Sequence, residues 1–173
     1  MSTPAVASPI PPLSGLHHIK LPVSSLSHSL VFYTQILGFT HIPAYDHYDP
    51  SGKLYAHILR LSANAAHPAE HKIPITHEDI LLELRLAPET APLLGENHVD
   101  ILTLSAPSST AITAWSEWLT QHSVPNSGTL RGLVGELVVC EDPDGLRVRV
   151  YSTEMPDGGM DPQLVSKDEK WLD

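Results

Sequence analysis

Cysteine is nearly missing from this chain: Cys140 stands alone among 173 residues. One thiol cannot close an intrachain disulfide or build a zinc site from thiolates. Basic residues are scarce too, 10 Lys and Arg against 20 Asp and Glu, for a formal net charge of −10. Nucleic acids and anionic membranes are held by clustered cations, so neither is expected as a partner. No stretch is long and apolar enough to span a bilayer. The opening MSTPAVASPIPPLSG has neither the basic start nor the apolar run of a secretory signal. These absences lead to the expectation of a cytoplasmic protein built as one domain, long enough to bury a core without covalent staples.

Both ends read as extensions. Residues 1–13, rich in Pro, Ala and Ser, bury too little to offset the entropy of ordering. The tail over 156–173 is polar and contains Gly, and an unattached segment is expected even though it carries Trp171 and Leu172. A long polar loop holds His67, His71 and His77 at spacings that fit no helix face, so it reads as solvated chain. The domain is expected over 14–155.

Within it the chain states one pattern twice. HIKLPVSS alternates as a strand. A helix follows, capped by Ser24 or Ser25, with Leu26, Leu30, Tyr33 and Leu37 on one stripe and Gly38 at its end. THIPAYDHY and KLYAHILRL read as a hairpin joined by DPSG, and ILLELRL as a further strand. The second copy begins with HVDILTLS and a helix through STAITAWSEWLTQH, capped by Ser108 or Ser109, with Ile112, Trp115 and Leu119 buried. A short strand near 128–132 precedes ELVVCEDPDGLRVRVYS, a strand, a turn at Asp142-Pro143-Asp144-Gly145, and a strand. The order is β-α-β-β-β in a module at about 14–90 and again at about 95–152. Cys140, inside a strand, reads as an inert apolar residue.

Alternation then sorts side chains between two faces. The apolar face of each unit must meet its helix. The opposite faces carry His18, Lys20, Glu83 and Arg85 in the first unit, and His98, Asp100, Arg147, Arg149 and Tyr151 in the second. Ionisable groups delivered from four strands make a poor core and a plausible polar cup. Tyr55 and His57 share a strand face and are read as further substrate contacts. Lys20 and Arg85 either contact substrate or balance Glu83 and Asp100, and Tyr151 either donates a proton or anchors a neighbour.

LHHIKLPVSSLSHSLVFYTQILGF together with EDPDGLRVRVYS resembles the two modules of the vicinal oxygen chelate superfamily, which contains glyoxalases, bleomycin-resistance proteins and extradiol dioxygenases. The resemblance implies an α+β fold of paired βαβββ modules forming a U-shaped cup, commonly a homodimer, around a divalent metal and a small-molecule substrate. It carries metal ligation onto His18, Glu83 and His98, with Zn, Ni, Mn or Fe as candidates. Arg149 stands where a fourth ligand, usually glutamate, is found. Two accounts stay open: His18, Glu83 and His98 hold a metal while Arg149 faces substrate, or Arg149 replaces the metal's charge and pairs with Glu83. The first function expected is a lyase or isomerase that stabilises an enolate or oxyanion, with Glu83, Arg149 and Tyr151 catalytic and Lys20, Arg85, Asp100, Arg147, Arg149, Tyr55 and His57 binding substrate. A drug-sequestering binder is the alternative, and an Fe²⁺ ring-cleaving dioxygenase ranks third because position 149 lacks its carboxylate.

Overall fold

The computed structural model describes residues 15–62, 79–155, 159–168 and 170–172. The N-terminal extension and the loop with His67, His71 and His77 lie outside them. Nine strands are described: β1 Ile19–Val23, β2 Thr40–His41, β3 His47–Tyr48, β4 Leu54–Leu61, β5 Ile80–Leu86, β6 Asp100–Ala106, β7 Leu130–Arg131, β8 Glu136–Glu141 and β9 Arg147–Ser152. The α-helices are α1 Leu26–Val31, α2 Ala91–Glu96 and α3 Ser109–Gln121. No helix among the described residues is long and apolar enough to cross a membrane.

The architecture is α+β, with two curled sheets that repeat one topology. The first runs β1-β5-β4-β2 with β3 also on β4, and the second runs β6-β9-β8-β7. In each, the opening strand lies parallel to the last one, which a helical crossover makes reachable. Both helix starts follow their serines. Ser25 Oγ accepts from His28 N at 3.4 Å, and Ser108 Oγ accepts from Ala111 N at 3.2 Å. The first helix runs on through a π turn, Phe32–Ile36, and the chain leaves it at Gly38, whose φ of 78° only glycine adopts freely.

One apolar core joins the inner faces of both sheets through the helices. It takes Leu21, Leu82 and Leu84 from the first sheet, Leu104, Val148 and Val150 from the second, and Tyr33, Ile112 and Leu119 from the helical segments. Burying a side chain of this size contributes about 1.5–3 kcal/mol. The turn before β9 pins the halves together. Asp142 Oδ1 accepts from Asp144 N and Leu146 N, both at 2.9 Å, closing the turn. Its Oδ2 accepts from the Tyr33 hydroxyl at 3.0 Å, and Asp144 Oδ2 accepts from Ser24 N at 2.9 Å.

Four expectations change. THIPAYDHY is not one strand: Pro43, lacking an N–H, opens a 3₁₀ turn over Pro43–Tyr45 that separates β2 from β3. The helix α2 between the modules was not anticipated. In β6 the register shifts between Asp100 and Leu102. This bulge turns Leu102, Leu104 and Ala106 inward and leaves Ile101 partly exposed, whereas unbroken alternation from the polar-face Asp100 would set Leu102 outward and Ile101 inward. The tail is attached: Trp171 is only 5% exposed and packs on Leu130, Leu137 and Val139.

Candidate ligand cavity and a second polar face

Glu83 sits mid-strand in β5, opposite Lys20 of β1 and Ile58 of β4. Its side chain is 1% exposed, so its charge needs partners nearby. Arg85, two residues along the same face, donates from Nε to Oε1 at 2.6 Å, with its NH2 at 2.5 Å. His18 Nε2 lies 3.3 Å and Lys20 Nζ 3.6 Å from Oε2, while His47 Nδ1 lies 3.8 Å from Oε1. Tyr55 offers its ring to the Arg85 guanidinium at 4.9 Å and tilts against His47. Burial pushes the Glu83 carboxyl up, but the hydrogen bond and charge of Arg85, with Lys20 and His47, outweigh it and hold the group below its ordinary range. Such a carboxylate is a weak base.

Over Glu83 opens a cavity of about 440 Å³ whose walls include His18, Tyr45, His47, Ile58 and Leu81. One side is apolar and the other carries imidazoles and the ion-paired carboxylate. His47 Nδ1 is buried without a hydrogen-bond partner.

The corresponding face of the second sheet is built differently. Arg149 donates from Nε to Asp100 Oδ2 at 2.9 Å. Its partner is therefore Asp100, not Glu83, and the exchange of metal charge for an Arg149–Glu83 pair is not what the chain adopts. Arg147 is 1% exposed. It lies under the tail, with its guanidinium 5.7 Å from the Trp171 ring centroid and its NH2 donating to the Lys170 carbonyl. The tail also pairs with the β7 edge, through Ser166 N to Arg131 O and Arg131 N to Ser166 Oγ, both at 2.8 Å. Tyr151 lies over Gly132, where a Cβ would meet its hydroxyl oxygen at 1.5 Å. Between tail and sheet a cavity of about 420 Å³ is lined by Arg131, Arg149, Tyr151, Lys167, Asp168 and Leu172.

The sequence-derived residues thus fall into two groups. His18, Lys20, Tyr55, Glu83 and Arg85 come together in the first module; Asp100, Arg147, Arg149 and Tyr151 come together in the second, partly beneath the tail. His98 joins neither: it is exposed in the turn before β6 at φ 52°. His57 lies opposite Leu84, on the face that packs against the helices, and so parts from Tyr55, whose ring lies by Arg85 and His47.

His18, Glu83 and His98 do not converge within the chain, and Arg85 and Lys20 already neutralise the one carboxylate among them. These donors do not fit a divalent ion.

A different set converges unannounced. Among the described residues, the group of His, Cys, Asp or Glu side chains whose ligand atoms all lie within 4.8 Å of one another is His41, Asp46 and His57. Asp46 Oδ2 is 3.0 Å from His41 Nε2 and 2.9 Å from His57 Nδ1. Burial raises the Asp46 carboxyl, but contacts from His41, His57 and Ile58 N outweigh this and keep it low. Its members stand on three separate segments with no periodic spacing, so no sequence signal could have joined them.

Residues 15–150 match the family described as Glyoxalase/Bleomycin resistance protein/Dioxygenase superfamily. No curated protein matches the chain. Among solved structures it is similar to TnmS3, an antibiotic binding protein from Streptomyces sp. CB03234, with TM-score 0.57 and 20% identity over 82% of this chain and 98% of that one. A glyoxalase/dioxygenase from Nostoc punctiforme gives TM-score 0.57 and 21% identity over 88% and 100%. Lactoylglutathione lyase from Agrobacterium tumefaciens gives 0.53 and 14% over 82% and 95%. At such identities the likeness speaks to fold alone.

Proposed function

The chain belongs to the glyoxalase/bleomycin resistance protein/dioxygenase superfamily, and on that premise we propose that it binds a small molecule with an apolar body and an anionic end in the cavity over Glu83. The observation that carries this reading is the Glu83 carboxylate in the cavity wall, with the Arg85 and Lys20 cations held against it. Glu83 carries one negative charge against the positive charges of Lys20 and Arg85, and His18 and His47 add donors. An anionic group entering beside them gains charge-assisted hydrogen bonds, and the orphaned His47 nitrogen gains a partner. Tyr45, Ile58 and Leu81 supply the apolar wall for the rest of the ligand.

Binding without turnover is favoured over the lyase or isomerase reading because Glu83, the expected base, has its proton affinity lowered by Arg85. Arg149 and Tyr151, the other expected catalytic groups, face the second cavity with the tail. One observation favours catalysis on the same ligand class: His47, whose Nδ1 makes no hydrogen bond and lies 3.8 Å from Glu83 Oε1, lines the cavity, where an imidazole can move a proton. The family hosts both outcomes, since one similar structure is described as antibiotic binding and another as a lyase. The homodimer expected from the family belongs to this proposal and is checked by light scattering after gel filtration.

A thermal-shift screen of aromatic and aliphatic acids tests the reading. A hit is expected to raise the melting temperature, to keep its mass on long incubation, and to lose affinity in Arg85→Leu. A hit whose mass changes moves the assignment to catalysis, and hits indifferent to Arg85→Leu and Lys20→Ala remove the cavity from the account.

A further inference from the structure

We propose that His41, Asp46 and His57 form a binding site for a first-row divalent transition metal, zinc foremost, on the face of β4 opposite the Glu83 cavity. Ile58 lies opposite Glu83 and His57 opposite Leu84, so the two sites are on opposite sides of one strand.

Two imidazoles and one carboxylate are a borderline-ligand set suited to zinc and its neighbours. An ion at about 2.0–2.2 Å from such donors spaces adjacent ligand atoms by about 3 Å. Here His41 Nε2 is 3.0 Å from both Asp46 oxygens, and His57 Nδ1 is 2.9 Å from Oδ2. One N–H cannot point squarely at two oxygens at once, whereas one ion can be shared by all three side chains. The carboxylate is held from behind by the Ile58 amide, 3.1 Å from Oδ1, as an outer hydrogen bond holds a metal ligand. Asp46 is 4% exposed and His41 22%, so an ion would enter past His41 and keep water on its open positions.

The backbone explains the convergence. The Pro43–Tyr45 turn, with Tyr45 N bonded to Ile42 O and Asp46 N to Pro43 O, folds the chain back so that Asp46 reaches β4. Tyr45 and His47 flank Asp46 and line the Glu83 cavity. The ion would therefore be structural, fixing two walls of the ligand cavity without touching the ligand.

The test uses the full chain, stripped with a chelator and titrated with Zn²⁺ by calorimetry. One equivalent is expected in the wild type and in Glu83→Gln, with a rise in melting temperature. Affinity is expected to fall at least tenfold in His41→Gln. In the wild type, substoichiometric Co²⁺ should broaden the Ile58 amide resonance before those of residues around His18, a readout that needs no variant to fold. Absence of saturable binding, equal binding in His41→Gln, loss confined to Glu83→Gln, or broadening centred elsewhere each overturns the proposal.

Discussion

The two modules share strand order and a polar outer face, yet they use that face in opposite ways. In the first, side chains from β1, β3 and β5 gather on Glu83 and leave a cavity beside it. In the second, Trp171 packs on Leu130, Leu137 and Val139 and covers Arg147, so much of the face becomes a small second core. The difference teaches that polar alternation reports which residues share a face, not what that face meets. An arginine row can floor a site or lie buried under the chain's own end.

Trp171→Ala should break the comparison most strongly. Losing a buried indole costs about 3–5 kcal/mol where the structure cannot undock, and less where the tail detaches instead. Urea unfolding and limited proteolysis should show lower stability and a tail cut before the domain, while ligand affinity at the Glu83 cavity stays unchanged. A variant as stable and protease-resistant as wild type would mean that the tail does not cover the second module.

The junction between modules gives the next effect. Burial pushes the Asp142 carboxyl up to about 6, against hydrogen bonds from Leu146 N, Asp144 N and Tyr33 that pull it down. A carboxyl raised in the folded state binds its proton more tightly than in the unfolded chain. Stability therefore increases as pH falls through about 6 toward the ordinary carboxyl range, by roughly 1–3 kcal/mol. Glu83 and Asp46, held low, act oppositely: their contribution is present above the ordinary range and is lost as pH falls through their folded values. Denaturant midpoints across pH should pass through a maximum, and Asp142→Asn should remove the rise on its alkaline side alone. A wild type with no such rise contradicts the buried junction.

Much of the fold was legible because it rests on local rules. Ser25 and Ser108 cap where an N-cap serine should, Gly38 ends its helix, and period-two alternation brought His18, Lys20, Glu83 and Arg85 to one place. What stayed hidden depends on distant partners or a single inserted residue. The bulge at Asp100 resets one strand's facing, Trp171 finds residues some 30 to 40 positions earlier, and His41, Asp46 and His57 meet only after Pro43 turns the chain.

Arg85→Leu sharpens the first half of the comparison. It removes a charge-assisted hydrogen bond from a buried carboxylate, while Lys20 and His18 remain to compensate, so about 1–2 kcal/mol of stability should be lost. The Glu83 carboxyl should rise, visible by carboxyl-carbon NMR titration; an unmoved titration would remove Arg85 as the cause of its low proton affinity. The smallest effect is at Cys140, whose thiol burial drives up to about 12. Native protein should resist a thiol reagent and react only on unfolding, and rapid native labelling would contradict the packed core that joins the two sheets.

The most direct test of the central claim is an amide NMR titration of the full chain with the tightest acid from the thermal-shift screen. The account predicts shifts at His18, Tyr45, His47, Ile58 and Glu83, with Arg131, Arg149, Tyr151 and Leu172 unmoved. Shifts centred on that second set, with the tail released, would contradict it.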